Sequence, residues 1–181
     1  MNAVGIVELI SIARGYVAAD AMLKAAGVDL FAAKPICPGK FVALVHGTVA
    51  EVASSVAAGV DAGEQFVVDQ VVIPSIHPGV WPAITGTSVP PGIESLGVIE
   101  TYSAASAVAA ADAAAKAASV ELIEVRLALG LGGKAFVTMT GRVDAVRAAV
   151  EAGAMEAANR GLLAEKAVIP APAWGLVEFG V

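Results

Sequence analysis

The residue with the greatest chemical potential is Cys37, the only cysteine among 181 residues, in the turn Ile36-Cys37-Pro38-Gly39-Lys40. A single thiol is a poor metal site alone, because soft-metal and cluster sites need several thiolates. It gains chemistry only if symmetry gathers several copies. His46 and His77 stand at no recognisable metal-ligand spacing and are read as structural. Glu8 and Glu100 could suggest a carboxylate pair for proton transfer, but they recur at matching strand positions, which points to a shared structural role. Lys24 and Lys116 each follow an aspartate, Asp20 and Asp112, by one helical turn, the spacing of an exposed intrahelical pair. There is no nucleophile elbow, phosphate loop or Cys–His arrangement of known form.

These residues need elements to place them. Ala3 to Ile10 is a short apolar run suited to a buried strand, with Ser11 as a helix cap. The following helix runs to about Ala26, with Ile12, Tyr16, Ala19, Leu23 and Ala26 on one seam at spacings of three and four and Gly27 as a left-handed C-cap. Val28 to Lys34 and Phe41 to His46 read as antiparallel strands around the Cys37 turn. Gly47 and Thr48 break and cap the chain before a second helix marked by Val49, Val52, Val56 and Val60, and Phe66 to Ile73 is the closing strand. Strand, helix, strand, strand, helix, strand is an α+β, ferredoxin-like order, an α/β sandwich.

After a Pro- and Gly-rich connection from Pro74 to Glu94, the order repeats. Gly5, Glu8, Asp20, Lys24 and Leu30 recur 92 positions on as Gly97, Glu100, Asp112, Lys116 and Leu122. Past the turn the offset is 94, carrying Gly39-Lys40, Gly47, Val49, Val52, Val56 and Gly59 to Gly133-Lys134, Gly141, Val143, Val146, Val150 and Gly153. By Ile73-Pro74 and Ile169-Pro170 it is 96. Drift confined to loops is the mark of tandem duplication, giving domains 1–92 and 93–181. Trp81 and Trp174 follow the last strand of each half and are expected to cover the core.

Composition narrows the function. A net charge of −6, with no basic cluster, argues against nucleic-acid binding. The longest stretch without a charged side chain, Gln70 to Ile93, carries five prolines and cannot be a spanning helix, and the N-terminus lacks a secretory pattern, so a cytoplasmic protein is expected. Hydrophobic residues nevertheless reach 57% and mean hydropathy is +0.78, so much of the surface is expected to lie against neighbouring subunits.

Each half resembles the bacterial microcompartment (BMC) shell domain, on Gly5-Ile6-Val7-Glu8 with Asp20-Ala21-Met22-Leu23-Lys24-Ala25-Ala26, and on Gly97-Val98-Ile99-Glu100 with Asp112-Ala113-Ala114-Ala115-Lys116-Ala117-Ala118. The resemblance covers nearly the whole chain. It implies a non-enzymatic shell tile, in which tandem members form a homotrimer mimicking the family's hexamer, with a pore on the axis and other shell proteins at the tile edges. By resemblance the pore is lined by Ile36, Cys37, Pro38, Gly39 and Lys40 and by the second copy of that turn, Leu129-Gly130-Leu131-Gly132-Gly133-Lys134.

Only the first turn has a cysteine, so three thiols would surround the axis. The cysteine turn, continued through Phe41, resembles that of tandem family members whose pore cysteines are associated with a [4Fe-4S] cluster. This implies one cluster per trimer, held by Cys37 of each copy, for electron transfer or for delivery to an encapsulated redox enzyme. A metal-free pore conducting a small metabolite is the alternative, and a ferredoxin-like protein unrelated to shells is a third reading. Gly39, Gly132 and Gly133 either present backbone N–H groups to anions in the pore or serve as turn residues. Lys40 and Lys134 either bias the pore or sit solvated at strand ends. Lys24 and Lys116 fall where the family has its tile-edge lysine; the chain departs from the family at Pro74-Ser75 and Pro170-Ala171, where an arginine is common after the proline.

Overall fold

The structure is a computed structural model that describes residues 3–128 and 130–180, the side chains of 178–180 excepted. Two compact units result: residues 1–76 with 128–133, and residues 77–127 with 134–181.

In the first unit, β1 (Ala3–Leu9), α1 (Ile12–Ala25), β2 (Asp29–Ile36), β3 (Lys40–Gly47), α2 (Val49–Gly63) and β4 (Val67–Ile73) follow the expected order. The strands pair antiparallel in the order β2-β3-β1-β4, which is the ferredoxin-like sheet. Every residue of β1 is buried, as befits an inner strand with neighbours on both sides. Both helices lie on one face, where Val7, Leu9, Met22, Phe41, Val45, Val52 and Val56 form the core.

α1 is capped by Ser11, whose hydroxyl accepts the Arg14 N–H. Of the expected seam Ala19 is buried and Ala26 half-buried, while the larger residues face outward. Gly15, Ala18, Ala19 and Met22 are buried, while Ile12, Tyr16 and Leu23 are exposed. The reason is close approach: a Cβ at Gly15 would stand 2.2 Å from Phe41, so the sheet requires the small residues on its side. The helix ends without a left-handed glycine, because Ala26 is extended at φ −156° and Gly27 has no positive φ. α2 begins in a full capping box in which Thr48 and Glu51 exchange bonds, and Val49 is exposed while Val52 and Val56 are buried.

The second unit repeats this plan with β5 (Leu96–Thr101), α4 (Ala104–Ala117), β6 (Glu121–Arg126), β7 (Ala135–Thr140), α5 (Val143–Asn159) and β8 (Leu163–Ile169), in sheet order β6-β7-β5-β8. It also holds α3 (Val80–Thr85), inside the stretch expected to be a plain connection, and α6 (Trp174–Gly180). α3 ends in Gly86, left-handed at φ 69°. Trp81 is half-buried, but Trp174 is 75% exposed and does not cover the core.

The duplication extends to packing. A Cβ on Gly5 would meet Val56 and Val52 at 2.5 and 2.8 Å, and one on Gly97 would meet Val150 and Val146 at 2.7 and 2.8 Å. Each pair of contacts is the other's counterpart, so strand and helix approach at the same point in both halves.

Candidate functional site: the Cys37 turn

β2 and β3 are joined in register through Ile36 and Lys40, leaving Cys37, Pro38 and Gly39 as a three-residue turn. Ile36 is buried, Cys37 is half-buried and in no disulfide, and Pro38 and Gly39 are exposed. Gly39 takes φ 81°, the left-handed region that glycine favours, and the Cys37–Pro38 peptide is cis.

Lys40 leaves the turn toward the sheet, its Nζ 2.9 Å from Oε1 of Glu8. The second half repeats this, Lys134 Nζ lying 2.7 Å from Glu100 Oε1. Lys40 is thus drawn out of solvent, Lys134 stays 43% exposed, and the two pairs supply the shared structural role foreseen for the glutamates. The Glu100 hydrogen bond holds the Lys134 ammonium above its ordinary pKa of 10.5.

The counterpart turn is longer. β6 stops at Arg126 and β7 starts at Ala135; Ala128 corresponds to Ile36, Lys134 to Lys40, and two extra residues lie between. Gly130, Gly132 and Gly133 all have positive φ, as does Ala128 at 52°. Leu129 lies outside the described residues. Leu131 is half-buried, Gly132 exposed and Gly133 buried. The segment 128–133 belongs to the first unit, where the Cys37 N–H donates to the Ala128 carbonyl at 2.9 Å. The two turns are therefore bonded to each other, which spacing along the chain gave no means of seeing.

The remaining candidates have local roles. Lys24 pairs with Asp20 at 2.6 Å on an exposed face and Lys116 with Asp112 at 2.5 Å. Asp112 does more than its counterpart, since its other oxygen accepts the His77 N–H at 2.7 Å. His77 in turn accepts the Gly79 N–H through Nδ1, and His46 faces Asp29 across 3.9 Å. Both histidines are structural here. Among the described residues, no group of three or more His, Cys, Asp and Glu stands close enough to hold a metal within one chain. Cys37 fits a sulfur-ligated group in kind, as a partly accessible thiol on a turn, and falls short in number, because a four-iron cluster takes four thiolates and each chain has one.

The profile of the BMC domain matches residues 3–76 and 95–172, the two halves of the duplication. The chain belongs to the BMC-domain family. It is 43% identical over 171 residues to the bacterial microcompartment shell protein PduT of Citrobacter freundii, covering 94% of this chain and 93% of that protein. The shell protein EutM of Escherichia coli K12 is 41% identical over 86 residues, 48% of this chain and 87% of EutM, as expected of a single-domain relative. A crystal structure of a microcompartment protein from Desulfitobacterium hafniense superposes with a TM-score of 0.87 at 50% identity, covering 98% of this chain and 99% of that one. The fused, permuted shell protein MSM0275 shares the fold, with a TM-score of 0.66 at 24% identity over 86% of this chain and 83% of that one. This chain is thus a tandem BMC-domain structural protein of a microcompartment shell and not an enzyme. Among the described residues no helix is long and apolar enough to cross a membrane.

Proposed function

We propose that three copies of this chain close head to tail into a pseudohexagonal tile, with Ile36 to Lys40 and Leu131 to Gly133 lining a central pore. Two similar domains per chain halve the number of chains a six-part ring requires. The observation that carries the pore reading is the bond from Cys37 N–H to the Ala128 carbonyl, which joins two turns that lie in different halves of the sequence. In such a trimer the three Cys37 thiolates would hold a [4Fe-4S] cluster at the axis, the fourth iron position being left to a ligand from outside the chain. The cluster would supply one-electron transfer across the shell, or be passed to an encapsulated redox enzyme; the chain's own contribution is to hold the thiolates at a fixed spacing.

Lys24 and Lys116 are assigned to the tile edges, where they would meet other shell proteins. Lys24 suits this best, its side chain being 75% exposed. Lys24→Glu with Lys116→Glu is expected to abolish flat sheets in electron micrographs while leaving the trimer mass unchanged; unaltered sheets would remove the edge assignment.

The cluster is tested by anaerobic reconstitution with iron and sulfide on a sample of known mass. About one cluster per trimer is expected, lost in Cys37→Ser with the trimer intact. A colourless trimer, unchanged by the substitution, would leave the metal-free pore as the function.

A further inference from the structure

The second-half turn is bound to the Cys37 turn by more than one contact. Besides the 2.9 Å bond from the Cys37 N–H to the Ala128 carbonyl, Gly133 lies directly against Pro38. A Cβ on Gly133 would stand 2.6 Å from Pro38 Cδ and 3.6 Å from the Cys37 carbonyl oxygen. The first distance is shorter than real Cβ contacts, so the fit requires a glycine. Ala128 presents its carbonyl from φ 52°, a left-handed conformation uncommon for a residue with a Cβ. The neighbouring Gly130 and Gly132 share positive φ but have open space around them. Of these three glycines, Gly133 alone combines the backbone with a contact among the described residues.

We propose that Ala128 and Gly133 are positioning residues for Cys37: they form a clasp that fixes the backbone from which the thiol projects. The second copy of the turn then has a task of its own, holding the first, in place of carrying a second thiol. The proposal rests on the reading of Cys37 as the functional residue of the pore turn.

The test uses the iron-free trimer, so that it does not depend on cluster binding. The rate of Cys37 alkylation by iodoacetamide is followed across pH, reporting both thiolate formation and access. Gly133→Ala and Gly132→Ala both place alanine at positive φ, at 92° and 60°, the first the more strained; only the first also meets Pro38, and the Pro38→Ala background separates that contact from the strain. Gly133→Ala is expected to raise the rate about fivefold or more and displace its pH profile, with Gly132→Ala within about twofold of the parent. Pro38→Ala loosens the clasp from the other side without crowding. It should also raise the rate, and adding Gly133→Ala to it should change little, the coupling expected of residues in contact. If Gly133→Ala does not yield a trimer, Pro38→Ala against Gly132→Ala decides the question. Equal rates in the Gly133→Ala and Gly132→Ala proteins, or a parent-like rate in Pro38→Ala, would overturn the clasp. A parent trimer that binds no cluster yet shows the predicted rates would lose the cluster and keep the clasp.

Discussion

Lys40 places its Nζ 2.9 Å from Oε1 of Glu8, a carboxylate with no solvent exposure on the central strand β1. This pair ties the end of the Cys37 turn to the middle of the sheet. Lys40→Met removes a charged partner from this fully buried carboxylate, so it is expected to cost about 1–3 kcal/mol. Lys134→Met should cost markedly less, because Lys134 and Glu100 are 43% and 34% exposed and water can replace the lost partner. Urea denaturation of both variants at one protein concentration checks the contrast.

The two glycines at the strand–helix contacts make a matched pair. Gly5→Ala would drive a methyl into Val52 and Val56, and Gly97→Ala into Val146 and Val150. Each is expected to cost about 1–3 kcal/mol, the usual result of overpacking. Adding Val56→Ala to Gly5→Ala should restore part of the loss, a non-additivity visible in a double-mutant cycle.

Asp112 and Asp20 are equivalent by descent and unequal in burden. Among the described residues Asp20 pairs with Lys24 alone, on the surface, whereas Asp112, 7% exposed, also accepts the His77 N–H. Asp112→Ala should therefore cost about 1 kcal/mol or more, since it strands the part-buried His77 N–H, and Asp20→Ala about 0.3–0.5 kcal/mol. Thermal melts of the two variants side by side provide the measurement.

The α2 cap carries a pH signature. The Thr48 hydroxyl and N–H hold the Glu51 carboxyl below its ordinary value of 4.5. A depressed carboxylate stabilises the fold above its unfolded value, and that contribution is lost as pH falls through the folded one. The stability gap between the parent and Thr48→Ala should accordingly be constant near neutrality and shrink below pH 4.5. A gap independent of pH down to acid denaturation would assign the cap to the threonine alone.

The order of elements could be read from the chain because large apolar residues mark strands and the duplication checks each assignment twice. α1 shows where that signal fails. Ile12, Tyr16 and Leu23 look like a core seam and are exposed, while the buried face is built from Gly15, Ala18, Ala19 and Met22, most of them too small to register as hydrophobic. α3 is six residues long and contains Pro82, so its stretch looked like a linker. The Cys37 turn itself was visible from its residue types and its recurrence. Its partners were not, since Glu8 is 32 residues from Lys40 and Ala128 is 91 residues from Cys37, separations that only the folded chain closes.

The two-residue difference between the turns has a genetic consequence. In a ring of identical single domains, every substitution at the rim is repeated at all positions, so no turn changes without changing its neighbours. A tandem chain makes alternate positions separately addressable: one codon sets the residue at every first turn and another sets every second. In the proposed ring, Cys37 and its glycine-rich counterpart would use that freedom, dividing between two diverged copies the work of bearing the thiol and the work of keeping it in place.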